Sequence, residues 1–468
     1  MVFKHFWLNI ICKYILNLIV KKTNIMIAKK ISDFLRRKLF FIFIFLILLS
    51  FTMFVKSMNI YVTLIIFGFA FYFLILSIII SKKYADVSNA KPFPKKVPTV
   101  AVVTMAYNNF QPIMETIKNI KKLKYPIPIT IYVITDGTCT FLNNVTGVKQ
   151  IILLKKFFAK SDVNQKSKVL NEGLKKIHED HILQLDGDTV PNKDALMKLT
   201  GTIRDDVVMA IGSVGVTNSN TFIAKVQVLE YNFGFGFPRM VMTAMNSLDI
   251  GTGAFCLFKK KAFDEIGGYD INNITEDKEI AYKLMEHGYK VEFVIDAKSK
   301  TEVPSTWKNF LIQRVRWYRG GFDVTNKYIH FLFKKGLGYF TFFFVYTTLS
   351  LIVGMMFVLK MLFDIGSTIV LNIYYYLSTM WVYGLSFSDF GSIHLSFAPL
   401  MNSFLILVLI SIAISIYFIS ISFDYNHFNM NKKYIIPLFY LIFVHGFILL
   451  LIAIISIIYN LFGVNYRW

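Results

Sequence analysis

Long apolar runs lie at both ends of the chain and frame a middle region in which hydrophobic and polar positions alternate. Near the N-terminus, two such runs extend from Leu39 to Val55 and from about Ile60 to Ile80, with only a short polar loop between them. Each run approaches the roughly 20 apolar residues that cross a bilayer. The pattern therefore predicts a transmembrane hairpin over residues 39–82, preceded by a basic N-terminal segment, residues 1–38.

Apolar runs return over residues 337–468. Hydropathy favours four spans there, at Tyr339–Leu359, Ile365–Phe387, Phe397–Ile421 and Tyr434–Tyr459. The second run is rich in Tyr, Ser and Gly, and if it does not cross, Lys432 and Lys433 lie on the inner side of the membrane. Because basic loops favour that side, charge indicates three spans and hydropathy four. A C-terminal region of three spans and one of four spans therefore both stay open.

Residues 83–303 alternate short β-branched runs with helical spacing. Strands are predicted at Val100–Thr104, Ile129–Ile134, Ile151–Leu154 and Ile182–Leu185, and helices at Gln111–Leu123 and Ser167–Ile177. This order predicts an α/β domain with a mainly parallel sheet. In such sheets, ligands bind beyond the carboxyl ends of the strands.

Charge orients the predicted hairpin. The chain is 55% hydrophobic with a formal net charge of +22, and basic residues flank the hairpin at Arg36, Arg37, Lys38, Lys82 and Lys83. By the positive-inside rule, both ends of the hairpin and the middle region face the cytosol. This placement, with no nucleic-acid-binding motif in the sequence, argues against a nucleic-acid partner. The cysteines are widely spaced and predict neither a disulfide framework nor a zinc site.

Carboxylates follow two of the predicted strands. Asp186 and Asp188 flank a glycine, and a turn there can aim both at one hard divalent cation such as Mg²⁺ or Mn²⁺. Asp136 follows another strand and can accept hydrogen bonds from a base N–H or a ribose hydroxyl. Taken singly, each has a simpler interpretation, an acidic turn in the first case and a capped β-turn in the second.

An acidic pair, Glu276 and Asp277, comes just before a helical pattern that begins near Ile280. Near a helix N-terminus the dipole favours the ionised form of a carboxylate. An ionised Asp277 beside a reacting centre can act as a general base. The simpler interpretation is a helix N-cap region, where acids normally gather.

Gln313, Arg316 and Trp317 share one face of a predicted helix, because they lie three and four residues apart. Tryptophan can stack on a sugar ring, and arginine can pair with a diphosphate. A basic amphipathic helix lying on the membrane surface explains the same pattern. The two interpretations are compatible.

In this order, and framed by apolar runs, the motifs resemble those of the processive family-2 glycosyltransferases, the hyaluronan, chitin, cellulose and poly-N-acetylglucosamine synthases. The resemblance covers about Pro98 to Gly321 and the flanking runs. The motifs that carry it are Ala106-Tyr107-Asn108, Lys166 with Leu170-Asn171, Gln227 with Glu230-Tyr231, Gly253-Ala254, Gly267-Gly268-Tyr269, Thr275-Glu276-Asp277, and Gln313 with Arg316-Trp317.

The resemblance implies an α/β domain of the GT-A type in the cytosol, flanked by transmembrane helices, with interfacial amphipathic helices at residues 304–336. It implies a multi-pass plasma-membrane enzyme, an inverting glycosyltransferase that adds sugar from UDP-GlcNAc or a similar UDP-sugar to a growing β-linked polysaccharide, coupled to export. The implied partners are a nucleotide-sugar donor, a polysaccharide or lipid acceptor, membrane lipids and Mg²⁺ or Mn²⁺. Two alternatives stay open: transfer of one sugar to a lipid, as in ceramide glucosyltransferases, and an inactive membrane scaffold or polymer-binding partner.

The resemblance also implies roles for single residues. The base would be Asp277, with Glu276 beside it. The nucleotide sugar would be bound by Tyr107, Asp136, Lys166 and Asp186. The metal would be held by Asp188 and Asp186. The acceptor and diphosphate would be held by Gly253, Ala254, Gln313, Arg316 and Trp317.

Two positions depart from the family pattern. Thr135 stands where the family usually has an acid before Asp136, and Gln165 replaces the glycine before Lys166. Both lie in the segments that would recognise the nucleotide. The donor nucleotide therefore stays open.

Overall fold

The computed structural model describes residues 91, 93–108, 111–153, 165–248, 253–334, 366, 369–378, 413 and 416–461. The basic segment 1–38, the predicted hairpin at 39–82 and the predicted span Tyr339–Leu359 lie outside these residues. Residues 74–385 and 418–468 form one compact unit, which holds all the helices and strands labelled below.

An eight-stranded sheet forms the centre of this unit, in the order β3-β2-β1-β4-β7-β6-β8-β5. The strands are β1 Val100–Ala106, β2 Thr130–Thr135, β3 Val148–Ile152, β4 His181–Leu185, β5 Val190–Pro191, β6 Val207–Val216, β7 Phe255–Lys259 and β8 Lys290–Thr301. β1 and β4 are buried along almost their whole length, as expected of central strands covered on both faces.

The predictions of an α/β domain and of a mainly parallel sheet are confirmed, because six of the eight strands, including the parallel pair β6 and β8, run in one direction. β1 is parallel to β2 and β4, and β2 to β3. β7, however, lies antiparallel between β4 and β6, and β5 pairs antiparallel with β8, so the sheet is mixed. Side chains alternate between the two faces of a strand in either direction, so hydrophobic periodicity carries no signal for strand polarity.

Helices connect and cover the strands. Within the sheet domain they are α1 Ile113–Ile120, α2 Gln165–Leu174, α3 Ala195–Thr202, α4 Phe222–Gly234, α5 Phe237–Ala244, α6 Lys260–Glu265 and α7 Glu276–Glu286. α1 shows why such segments are helical, because Ile113, Ile117 and Ile120 recur at helical spacing and are fully buried. Each such isoleucine contributes about 1.5–3 kcal/mol through burial. α1 and α2 begin within two residues of their predicted starts and are shorter than predicted.

Two helices follow the sheet, α8 Trp307–Lys327 and α9 Ile329–Lys334. A short apolar helix, α10, covers Ile369–Ser378. After a helical stretch at 418–426 comes a longer apolar segment, which contains α11 Ile435–Tyr440, a π-helical turn Leu441–His445 and α12 Gly446–Leu461.

The segment Lys432–Asn460, called here the C-terminal apolar helix, is long and apolar enough to cross a membrane, with a mean hydropathy of 3.0. Among the described residues it is the one helix that meets this test. It corresponds to the predicted span Tyr434–Tyr459. Within the second predicted run, Ile365–Phe387, the described residues include α10, and most of the third run, Phe397–Ile421, lies outside the described residues. The multi-span region therefore stays a prediction.

Candidate active site

A cleft of about 420 Å³ opens beyond the carboxyl ends of β1 and β4. Its walls come from the end of β1, the first turns of α2 and the turn after β4, and it is lined by Met105, Ala106, Tyr107, Asn108, Gln165, Lys166, Val169, Leu170, Gln184, Leu185, Asp186, Gly187 and Asp188. Adjacent parallel strands end at the same edge of a sheet, which is why residues distant in sequence meet here. The volume suits a small ligand.

Lys166 forms the centre of an ion cluster at this cleft. Its ammonium nitrogen lies 2.7 Å from Asp186 Oδ1 and 3.0 Å from Glu276 Oε1. Burial alone would lower the pKa of Lys166, but the two carboxylates raise it above the ordinary lysine value. The lysine therefore stays charged and ties the end of β4 to the start of α7.

Asp277 is the second residue of α7 and is partly exposed. Its Oδ2 accepts a hydrogen bond from the backbone N–H of Gly253 at 3.1 Å, and its Oδ1 accepts one from Lys278 N–H at 2.9 Å. Burial, and then the charge of Glu276, raise the pKa of Asp277 above its ordinary value. A carboxylate with raised proton affinity is suited to accept a proton.

Gly253 links this acid to the cleft. A β-carbon at position 253 would lie 3.3 Å from Asp277 Cβ and 3.5 Å from both Lys166 Nζ and Glu276 Oε1. The missing side chain therefore brings the backbone close to all three. Asp186, Glu276, Asp277, Lys166 and Gly253, which are distant in the sequence, form one contiguous site.

The loop at Gly253 is held by a chain of hydrogen bonds from residues for which no role was predicted. Gln184 Nε2 donates to the Gly253 carbonyl at 3.2 Å, and the Tyr269 hydroxyl donates to Gln184 Oε1 at 2.6 Å. Asn171 hydrogen-bonds both the N–H and the carbonyl of Tyr269. Asn171 and Tyr269 belong to the motifs that carry the family resemblance, but their positioning contacts are visible only in three dimensions.

Asp188 lies in the same turn as Asp186, and its Oδ1 accepts a hydrogen bond from Thr301 Oγ1 at 3.0 Å. Burial, and then the Asp186 charge, raise the pKa of Asp188. A carboxylate whose ionisation is disfavoured by a neighbouring carboxylate is suited to bind a cation. The described residues contain no group of three or more His, Cys, Asp or Glu side chains that could hold a metal. The protein would then supply carboxylates and leave positions for water and phosphate, as Mg²⁺ sites often do.

Asp136 follows β2 at the rim of the cleft. Its Oδ1 accepts hydrogen bonds from Thr138 N at 3.0 Å and Thr138 Oγ1 at 2.6 Å, which is the capped turn of the simpler interpretation. Burial would raise the pKa of Asp136, but these bonds, with one from the Asn108 N–H, lower it below the ordinary value. Asp136 does not line the cleft, and it is tied to the cleft through Asn108, which does.

The face of α8 that carries Arg316 and Trp317 is directed towards the start of α7. Gly320, one turn later on that face, packs directly against Thr275. Trp317 is 37% exposed, and Arg316 makes no hydrogen bond or ion pair with any described residue. Neither lines the cleft at Lys166 and Asp188.

Arg314, to which no role was assigned from the sequence, is the buried cation of this helix. It lies 2.6 Å from Glu230 on α4, donates to Gln313 Oε1 at 2.7 Å, and stacks on Trp317 with 4.1 Å to the ring centroid. Burial opposes the Glu230 charge, but Arg314 and then His445 lower the pKa of Glu230 to about 2. An acid inside the apolar sequence of α4 was the available signal, since such an acid needs a buried partner.

We expect Arg314→Met to destabilise the protein by about 3 kcal/mol, because it strands the Glu230 carboxylate in a buried site. Arg316→Met on the same helix is the matched control for stability, because Arg316 has no ion pair to lose among the described residues. Thermal unfolding in detergent measures the difference. Equal unfolding midpoints for the two variants would contradict the assignment of Arg314 as the structural arginine.

Comparisons with known proteins match the part of the chain that contains this cleft. Residues 98–320 match the family described as glycosyltransferase like family 2. The chain is 29% identical over 230 residues to a poly-beta-1,6-N-acetyl-D-glucosamine synthase of Staphylococcus aureus strain COL, covering 48% of this chain and 55% of that one. The synthase of Staphylococcus epidermidis is 28% identical over 275 residues, covering 55% and 66%. The chain thus spans just over half the length of the first of these relatives.

Among solved structures, a mannosyltransferase of Pyrobaculum calidifontis in complex with GDP-Man and Mn²⁺ is similar with a TM-score of 0.48 and 14% identity, covering 87% of this chain and 98% of that one. The family match covers the strands, the cleft and most of α8. Residues 98–320, just under half of the chain, are therefore similar to the glycosyltransferase like family 2 domain.

Proposed function

We propose that this protein is a membrane-bound inverting glycosyltransferase that transfers N-acetylglucosamine or a similar sugar from its UDP donor to a growing β-linked polysaccharide, coupled to export. The observation that carries the proposal is the approach of Glu276 and Asp277, which do not themselves line the cleft, to Lys166 and Asp186, which do. The similarity to poly-beta-1,6-N-acetyl-D-glucosamine synthases supports the choice of sugar and of a polymeric acceptor.

In this proposal the cleft receives the donor. Tyr107 and Asn108 line its end near Asp136, which would contact the uracil base, and Lys166 would pair with the diphosphate. Asp188, with Asp186, would hold Mg²⁺ or Mn²⁺, since burial and the Asp186 charge raise the pKa of Asp188 and a cation there would offset both. When bound, the cation would neutralise charge that develops on the UDP leaving group.

Asp277 acts as the general base. It accepts the proton of the acceptor hydroxyl as that oxygen bonds to the anomeric carbon, and the bond from that carbon to the UDP oxygen breaks on the opposite face. Attack opposite to the leaving group inverts the configuration. Gly253 and Ala254 lie beside the base, and alignment of the hydroxyl with it lowers the barrier.

The acceptor end of the polymer is bound on the α8 side of Asp277. The partly exposed ring of Trp317 lies against the Arg314 guanidinium and can stack on a sugar, and Gln313 accepts a hydrogen bond from the same arginine. Arg316 is a cation without a described partner and is suited to the diphosphate.

We further propose that the catalytic domain, residues 83–303, is cytosolic and that residues 304–336 lie at the inner face of the plasma membrane. The hairpin at 39–82 and the C-terminal apolar helix would anchor it among membrane lipids. The basic residues flanking the hairpin support this orientation.

The function is tested with purified protein in lipid nanodiscs, given labelled UDP-GlcNAc and a panel of other nucleotide sugars with Mn²⁺, followed by sizing of the product. We expect long polymer from UDP-GlcNAc. A single glycolipid product would contradict the polysaccharide assignment, and turnover of no donor would contradict enzymatic function and favour a scaffold.

A further inference from the structure

Gly320 on α8 lies against the residue that begins α7. A β-carbon built at position 320 would lie 2.5 Å from Thr275 Cγ2, 2.6 Å from Thr275 Oγ1 and 2.8 Å from Ile274 Cγ1. All three distances are below the 3.0 Å that real β-carbons keep. Gly320 is buried, so any side chain there would force the helix or the loop to move.

Neither side of this contact moves freely. The Thr275 backbone N–H and hydroxyl both donate to Asn273 Oδ1, at 2.8 and 2.9 Å. On the other side, Arg319 Nε donates to Asn460 of the C-terminal apolar helix at 2.9 Å. Directly after α8, the hydroxyl of its C-cap residue Tyr328 donates at 2.6 Å to Glu279, which is fully buried in α7.

The contact joins the two halves of the proposed reaction. Thr275 is the N-cap residue of α7, directly before Glu276 and Asp277. Arg316 and Trp317 lie four and three residues before Gly320, on the same face of α8. The spacing between α8 and Thr275 therefore determines how far the base lies from an acceptor stacked on Trp317.

The geometry points to Gly320 as a positioning residue: its missing side chain lets α8 rest directly on Thr275 and so aligns the acceptor with Asp277. This inference rests on the proposed function. It assigns Gly320 no contact with donor, metal or acceptor. The donor cleft is built from β1, α2 and β4, which Gly320 does not touch.

The neighbouring glycine provides a matched control. A β-carbon at Gly321 would meet only Lys278 Nζ at 3.7 Å, the end of a flexible side chain. Alanine at either position raises helix propensity by the same amount. The two variants therefore differ in the Thr275 contact and not in backbone preference.

We expect Gly320→Ala to lower kcat about 100-fold, as a misplacement of about 1 Å does in an aligned site. The donor KM should change by less than about threefold, because a loss confined to the transition state leaves ground-state binding intact. Gly321→Ala should keep kcat within about twofold, as exposed substitutions usually do. Kinetics of polymer formation in nanodiscs measure all three.

A double-mutant cycle tests the same contact. If Gly320→Ala alone does not fold, the double variant is compared with Thr275→Ala, and its kcat should lie within about tenfold of that variant. Thr275→Ala removes the two nearest clashing atoms, so Gly320→Ala should cost at least about tenfold less kcat in that background than in the wild type. An equal cost in both backgrounds, or wild-type kcat in Gly320→Ala, overturns the inference. A wild-type chain that transfers no sugar refutes the proposed function instead, so the two failures are distinct.

Discussion

Asp277→Asn is expected to lower kcat for sugar transfer by a factor on the order of 1,000, the loss typical when a general base is removed. The amide oxygen of asparagine can still accept the Gly253 N–H bond, so the loop keeps its anchor. What the variant loses is the capacity to take a proton. Donor binding should persist, because the cleft-lining side chains of Tyr107, Lys166 and Asp188 are unchanged.

The pH dependence follows from the raised pKa of Asp277. The base works only when ionised, so kcat/KM should fall as the pH decreases through this raised pKa, above the ordinary aspartate value of about 3.9. Between these two values the folded chain binds more protons than the unfolded one, and its stability therefore falls as the pH rises. At neutral pH the asparagine variant should be at least as stable as the wild type.

Asp264→Asn is the matched control, because Asp264 is an exposed acid on α6 that pairs with Lys260 away from the cleft. Its kcat, and the fall of its kcat/KM at low pH, should match those of the wild type. If Asp277→Asn kept the wild-type kcat, or if its kcat/KM still fell at low pH as in the wild type, Asp277 would not be the general base. Loss of activity together with a lower unfolding temperature would point to a structural defect instead.

Asp188→Asn should reduce kcat/KM by about 1,000-fold and remove the response to Mn²⁺, because a divalent cation supplies several kcal/mol of charge stabilisation in such reactions. Removal of the cation by chelation should abolish sugar transfer by the wild type, and re-addition of Mn²⁺ or Mg²⁺ should restore that activity. Without the cation, the pKa of Asp188 is already raised by burial and by Asp186, so the site gains most from a bound positive charge.

Asp205→Asn provides the comparison for this experiment, because the Asp205 side chain is fully exposed. Its activity should follow the wild-type metal titration. Full wild-type activity after exhaustive chelation would contradict a metal role for Asp188, as would an Asp188→Asn enzyme with an unchanged Mn²⁺ response.

Much of the domain was predictable because local patterns determine it. The buried runs of β1 and β4 and the isoleucine stripe of α1 are visible in the sequence, and strand ends are where an α/β sheet exposes chemistry. That reasoning located Asp136, Asp186 and Asp188. The acids Glu276 and Asp277 likewise indicated a nearby helix start, but the apolar pattern placed that start near Ile280, four residues after the observed start of α7 at Glu276.

The contacts between distant segments were not predictable. The ion cluster joins Lys166 to Glu276, which are 110 positions apart in sequence and lie on different helices. Helical spacing placed Arg316 and Trp317 on one face, but it could not show that Arg314 is the buried arginine and that it pairs with Glu230 on α4. Such pairings depend on how elements pack and not on the preferences of any one element.

The close approach at Gly320 has the same origin. A glycine inside a helix normally costs stability, and from sequence alone it reads as a weak point in α8. The reason for a glycine at position 320 is visible only in the structure, where Thr275 packs directly against it. The direction of β7 was hidden for a similar reason, because its pairing with β4 and β6 is a tertiary property.

The proposed function requires that the cleft at the ends of β1 and β4 binds the donor and that Asp277 faces the sugar of that donor. A cryo-electron microscopy structure of the protein in nanodiscs with UDP and Mn²⁺ tests it most directly. We expect diphosphate density beside Lys166 and a cation at Asp188. The Asp277 carboxylate should face the space that the sugar of the donor would occupy. Nucleotide bound elsewhere on the domain, or a cation away from Asp188, would contradict the proposed function.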